Sequence, residues 1–228
     1  MNQQKAVEIV DRARQQGRSA LSEYESKQVL AAYGIPVTRE ILVEDSGGLD
    51  AAIGEIGFPL VMKGCSADLA HKTEKNLIRV DLRSREEAGL AFEEIRGQVT
   101  GAGGGVLVQE MVSGRRELVA GMTRDPQFGP CVMFGLGGIF TEILEDIAFR
   151  KAPLEKTDAL AMMREIKGHR ILTAVRGMEA ADTEMLADLL IRVGQIGTDM
   201  DAVTEIDINP VIICDGRPKA VDALIALG

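Results

Sequence analysis

Tryptophan is missing, histidine occurs twice and cysteine three times in 228 residues. Cys65, Cys131 and Cys214 are odd in number and nowhere in CxxC spacing. That pattern offers neither a disulfide framework nor a zinc ribbon, and reduced core thiols are expected. No apolar run approaches the roughly 18 residues of a membrane span. The first residues, MNQQKAVEIVDRARQQ, carry no apolar signal core, so a cytoplasmic protein is expected. A basic excess is also absent: the formal net charge is −9, the wrong sign for a nucleic-acid binder. There is no Walker A loop. GLGG at 135–138 would need a glycine at position 140 to read G-x-G-x-x-G; Phe140 stands there, with no helix pattern behind it. P-loop and Rossmann readings are therefore disfavoured. GLGG remains either a tight turn or a backbone contact for phosphate or a partner.

What is present is a globular composition, 46% hydrophobic with 25 glycines, long enough for one large domain or two small lobes. Ala6, Ile9, Val10 and Ala13 recur at helical spacing, predicting a helix over 3–16 that ends near Gly17. Ser22 with Glu25 and Ser84 with Glu87 read as capping boxes that open two further helices. LDAAIGEIG, 156–167 and 182–196 complete the helices, the last with Leu186, Leu189, Leu190 and Val193 as its core stripe. Strands are expected at 37–43, 60–62, 77–82, 106–112, 115–122, 131–134, 139–144, 203–214 and 219–224. Without strict βαβ alternation, this predicts an α+β fold of mostly antiparallel sheets in two lobes.

Three stretches carry chemistry. In PLVMKGCSADLAHKTEKNLIRVDL, 59–82, Lys63 lies just past a buried apolar run, where its ammonium can reach a phosphate. His71 stands among Lys63, Lys72 and Lys75. It reads either as a solvated loop residue or as a phosphoryl acceptor whose product the cations stabilise. In VQEMVSGRRE, 108–117, Glu110 and Glu117 read as strand-end charges or as acceptors for a pair of hydroxyls. In EIDINPV, 205–211, Glu205, Asp207 and Asn209 share one strand face by the period of two. Oxygen ligands on a rigid strand suit Mg²⁺. His169, just past a helix C-terminus, reads as structural. Arg150 and Lys151 read as contacts for phosphate or for an acidic partner surface.

The first stretch resembles L-K-x-x-S-P-D-I-x-H-K-[ST]-D-x-G-G-V of the ATP-grasp subunits of ADP-forming acyl-CoA synthetases, relatives of succinyl-CoA synthetase. The resemblance runs from about Leu21 to the C-terminus and returns at RRELVAGMTRDPQFGPCVMFGLGGIFTEILEDIAFRKAPL and at EIDINPVI. It implies an ATP-grasp fold with the nucleotide held between two lobes, arranged as an N-terminal helix (about 1–20), a smaller lobe (about 21–110) and a larger lobe (about 111–228). It further implies that Lys63 holds nucleotide phosphates, that the backbone of Glu110, Met111 and Val112 pairs with adenine, and that Glu117 meets the ribose. Mg²⁺ would sit on Asp207, Asn209 and Asp222, with Asp207 alternatively orienting His71.

The implied reaction is acyl-CoA + ADP + phosphate ⇌ acid + CoA + ATP. A CoA-binding α subunit would carry the first phosphohistidine, and His71 would relay the phosphoryl group to ADP. The partner's CoA-binding Rossmann segment is not in this sequence, so a hetero-oligomer is expected, with a homodimer as the alternative for the chain alone. One departure bears on activity: Asn76–Leu77 stands where the family has Gly-Gly. If the Leu77 side chain intrudes on a phosphate loop, the expectation changes to a nucleotide-binding regulatory module without catalysis. A carboxylate–ATP ligase working without phosphohistidine is the third reading.

Overall fold

A computed structural model describes residues 2–66, 77–99, 104–138, 146–174 and 177–228. They divide into two units with separate cores. The smaller comprises 22–24 and 38–112, the larger 2–21, 25–37 and the described part of 113–228.

The smaller unit is a four-stranded antiparallel sheet in the order β1-β4-β2-β3, from β1 (Glu40–Val43), β2 (Leu60–Cys65), β3 (Ile78–Leu82) and β4 (Gly105–Glu110). Helices α3 (Leu49–Ile56) and α4 (Arg85–Arg96) pack on the face made by Leu60, Met62, Val106 and Val108. Ser84 caps α4 by accepting from the Glu87 amide at 3.2 Å. The Glu87 carboxylate takes the Arg83 N–H, so the reciprocal arm of the capping box lands one residue early. Alternation puts Val61, Lys63, Leu107 and Gln109 on the opposite face, where all four are buried. Leu77 precedes β3. Its side chain is fully buried with the helix-side core, and its carbonyl accepts from the Gly64 N–H at 2.8 Å.

The larger unit is an antiparallel sheet in the order β10-β8-β5-β6-β7, with β9 also on β8. Its strands are β5 (Arg116–Asp125), β6 (Gly129–Leu136), β7 (Ile147–Lys151), β8 (Val203–Cys214), β9 (Arg217–Ala220) and β10 (Ala223–Leu227). Helix α6 (Thr183–Asp199) covers the face built from Ala120, Met122, Val132, Phe134, Ile206 and Ile208, with α5 (Lys156–Glu165) against α6. Asp182 caps α6, accepting from the Met185 amide. Leu186, Leu189, Leu190 and Val193 are all buried; each such side chain contributes about 1.5–3 kcal/mol of transfer free energy. Helices α1 (Gln3–Gln15) and α2 (Glu23–Ala32) supply Ala6, Ile9, Val10, Val29 and Leu30 to this core.

Three expected elements differ. The strand at 37–43 begins only at Glu40; Val37 makes a single parallel bridge to Ala220. The last strand is two, because pairing breaks at Val221–Asp222 opposite Pro210, which has no N–H to give. The edge strand β7 is the IAFRK run, while the expected strand at 139–144 lies outside the described residues. No described helix is long and apolar enough to cross a membrane.

Candidate functional site

Strand β8 organises the larger unit's site. Ile206 and Ile208 enter the helix-covered core, so Glu205, Asp207 and Asn209 emerge on the bare face. The break between β9 and β10 places Asp222 beside them: the Asn209 N–H donates to the Asp222 carbonyl at 3.3 Å. The Asp207 side chain makes no hydrogen bond among the described residues. Burial pushes its carboxyl above the ordinary carboxylate value, and the neighbouring charges of Glu205 and then Asp222 push it further. Three carboxylates thus concentrate negative charge around Asp207.

Glu117 shares that face. On β5 it pairs with Ile212, while Gly121 pairs with Asp207. The four residue steps from Glu117 to Gly121 span about 13 Å at ~3.3 Å each. The Gly137 N–H donates to the Glu117 carbonyl at 2.8 Å. A Cβ on Gly137 would lie 2.8 Å from the Glu117 carbonyl carbon, and one on Gly138, at φ +64°, would lie 2.9 Å from Glu117 Oε2. The last two glycines of GLGG are therefore what allows this segment to lie against Glu117. Glu117 itself is exposed and forms no ion pair among the described residues.

In the smaller unit, Lys63 projects from the face of the sheet opposite α3 and α4. Its Nζ donates to Glu23 Oε1 at 2.8 Å, with both side chains buried. The Glu110 carboxylate is engaged by Arg39, at 3.0 Å from both the backbone N–H and Nε. The Met111 N–H goes to the Pro59 carbonyl at 3.3 Å. The Val112 N–H makes no hydrogen bond among the described residues, which leaves it available to a ligand. His71, Lys72, Lys75 and Asn76 lie outside the described residues.

Two other residues singled out in the sequence make contacts within the larger unit. Arg150 pairs with Glu165. His169 places Nδ1 3.2 Å from the Ile166 carbonyl. Two residues escaped the sequence reading. Glu23 is 40 positions from Lys63, and no local pattern connects them. Lys27, one helical turn beyond Glu23, is buried and donates to the carbonyl of Val221, next to Asp222, at 3.2 Å.

Comparison with known proteins matches residues 12–227 to the ATP-grasp domain model. The chain is 41% identical over 228 residues to the acetate–CoA ligase [ADP-forming] I subunit beta of Pyrococcus furiosus, covering 98% of each chain. Among solved structures it is similar to the dinucleotide forming acetyl-coenzyme A synthetase 1 of Ca. Korarchaeum cryptofilum in complex with coenzyme A and Ca-AMPCP. That match has TM-score 0.91 and 42% identity, and covers 97% of this chain and 99% of the other. A second structure of that enzyme, with coenzyme A and Mg-AMPPCP and its phosphohistidine segment pointing towards the nucleotide binding site, matches at TM-score 0.87 and 42% identity over 98% of this chain and all of the other. Two antiparallel sheets, each with polar groups on the face away from its packed core, thus coincide with near-complete sequence matches, and the chain belongs to the ATP-grasp domain family, among the β subunits of ADP-forming acetate–CoA ligases.

Proposed function

We propose that this chain is the nucleotide-handling subunit of an ADP-forming acid–CoA ligase, catalysing acyl-CoA + ADP + phosphate ⇌ acid + CoA + ATP with a CoA-binding partner subunit. The observation that carries the reading is the bare sheet face on which Glu117, Asp207 and Asn209 share one side of β5 and β8. Val112 offers its N–H to adenine, with the backbone of Glu110 and Met111 beside it. Glu117 accepts from the ribose hydroxyls, as a carboxylate can from both at once. Lys63 meets the phosphates.

The charge at Asp207, Asn209 and Asp222 fits Mg²⁺. No three of His, Cys, Asp and Glu form a metal cage among the described residues, but Mg²⁺ takes only one or two carboxylates, plus phosphate and water oxygens. Bound there, the ion supplies neutralisation of the phosphate charge. His71 carries the phosphoryl group: its ring nitrogen forms the N–P bond as the bond to the donor breaks, and ADP oxygen then takes the phosphorus and releases the imidazole. The α subunit carries the preceding phosphohistidine and the acyl chemistry, which makes the assembly a hetero-oligomer. The cytoplasm is the compartment we assign.

The test is labelling by radioactive ATP with Mg²⁺, with and without the partner, comparing wild type with His71→Asn. We expect an acid-labile, base-stable phosphoprotein in wild type only, with acyl-CoA-dependent ATP formation abolished in the variant and nucleotide affinity retained. Wild-type turnover by a His71→Asn complex would remove the relay.

A further inference from the structure

We propose that Glu23 is a positioning residue for the nucleotide polyphosphate, its buried carboxylate fixing the Lys63 ammonium where phosphate is bound. The inference rests on the assignment of Lys63 to the phosphates, and it extends the site to a helix that this assignment does not include.

Lysine is a poor anchor when left to itself. Its ammonium rides on a four-carbon stem, and fixing that stem costs rotamer entropy at the moment of binding. Here the stem is already ordered. The Lys63 side chain is 6% exposed and the Glu23 side chain 0%, with Nζ 2.8 Å from Oε1. β2 holds the lysine backbone from both sides, paired with β3 and β4. Glu23 is the first residue of α2, where the helix dipole favours a negative charge. It is delivered by an unusual route: residues 22–24 pack with the smaller unit, whereas the segments before and after them pack with the larger.

A buried ion pair of this kind adds little stability over an apolar pair of similar size. What it does secure is a charged ammonium at a fixed point, and preorganisation of that kind is what raises affinity for a ligand. The carboxylate does not cancel the attraction. A phosphate meeting the ammonium from the side away from Glu23 lies about twice as far from the carboxylate as from the nitrogen, and Coulomb energy falls as the inverse of distance.

The experiment measures ADP and adenosine affinities of the full chain with Mg²⁺ by calorimetry, for wild type, Lys63→Met, Glu23→Gln and the double variant, with folding checked by circular dichroism. Adenosine lacks phosphate, so it reports general damage. We expect Glu23→Gln to weaken ADP about tenfold or more, to change adenosine less than about twofold, and to add nothing in the Lys63→Met background. Equal losses for ADP and adenosine would make Glu23 merely structural and overturn the proposal. An ADP loss with Lys63→Met but none with Glu23→Gln would overturn the positioning role and leave the Lys63 assignment standing. No loss with Lys63→Met would overturn both. If Glu23→Gln fails to fold, Glu23→Asp takes its place. It keeps the charge but withdraws it by one methylene, and selective weakening of ADP is again the supporting result; unchanged ADP affinity overturns the proposal.

Discussion

Replacing Leu77 by glycine restores one residue of the family's Gly-Gly pair, and the structure says it should damage the protein rather than improve it. The Leu77 side chain is 0% exposed, inside the core beneath α3 and α4. A Cβ on Gly64 would already stand 3.2 Å from that of Leu77, so the neighbourhood is tight and has no spare volume to collapse into. Truncating a fully buried leucine to alanine costs about 2–5 kcal/mol. Going on to glycine adds about 0.5–1 kcal/mol of backbone entropy. The expected loss is therefore about 2.5–6 kcal/mol, against a total stability of order 5–15 kcal/mol for a domain. Urea unfolding of wild type, Leu77→Ala and Leu77→Gly should show midpoints falling in that order. ADP affinity of the folded fraction should stay within about twofold, because the side chain points away from the face that carries Lys63. A loss under about 1 kcal/mol, or tighter ADP binding by Leu77→Gly, would refute the reasoning and return Leu77 to the phosphate loop.

Asp207 has its proton affinity raised in the fold above the ordinary 3.8. The folded chain therefore keeps that proton at a pH where the unfolded chain has lost it, and the stability this contributes is present at low pH and lost as pH rises through the folded value. Asp207→Asn should accordingly melt higher than wild type at pH 7 in EDTA, with the gap closing below the ordinary value, while Mg²⁺-dependent ADP binding is lost; a lower melting temperature at pH 7 would contradict the sign. Gly138→Ala places a side chain at φ +64° and 2.9 Å from Glu117 Oε2. It should cost about 1–2 kcal/mol of stability and weaken adenosine as well as ADP, since the ribose contact moves; unchanged adenosine affinity would separate Gly138 from Glu117.

The period-two face of β8 and the helical stripe of α6 were legible because each is a local repeat that burial simply reads out. Leu77 misled because its identity was weighed as a departure from a loop motif, whereas its side chain is claimed by a core assembled from α3, α4 and four strands. The break at Val221–Asp222 was missed because nothing in that run announces it; the cause sits on the neighbouring strand, in the proline that cannot donate. Glu23 and Lys63, and likewise Glu117 and Gly138, meet only through tertiary folding.

The path of the chain makes the two units unequal as modules. Val37, the last residue before the smaller unit, bridges to Ala220. Gly114, just after it, lies so close to β8 that any Cβ would stand 2.6 Å from the Ile213 carbonyl oxygen. Both ends of the host that flank the insertion, Val37 and Gly114, are thus moored to the β8–β9 hairpin, and the described strands of the host sheet all lie outside 38–112. Removing the guest takes away none of the host's described strands. The guest, cut out as one continuous peptide, leaves residues 22–24 behind, and with them the carboxylate that neutralises its buried lysine. Recombination between relatives can therefore exchange the host around this insert more safely than it can move the insert alone, unless the three-residue outpost travels with it.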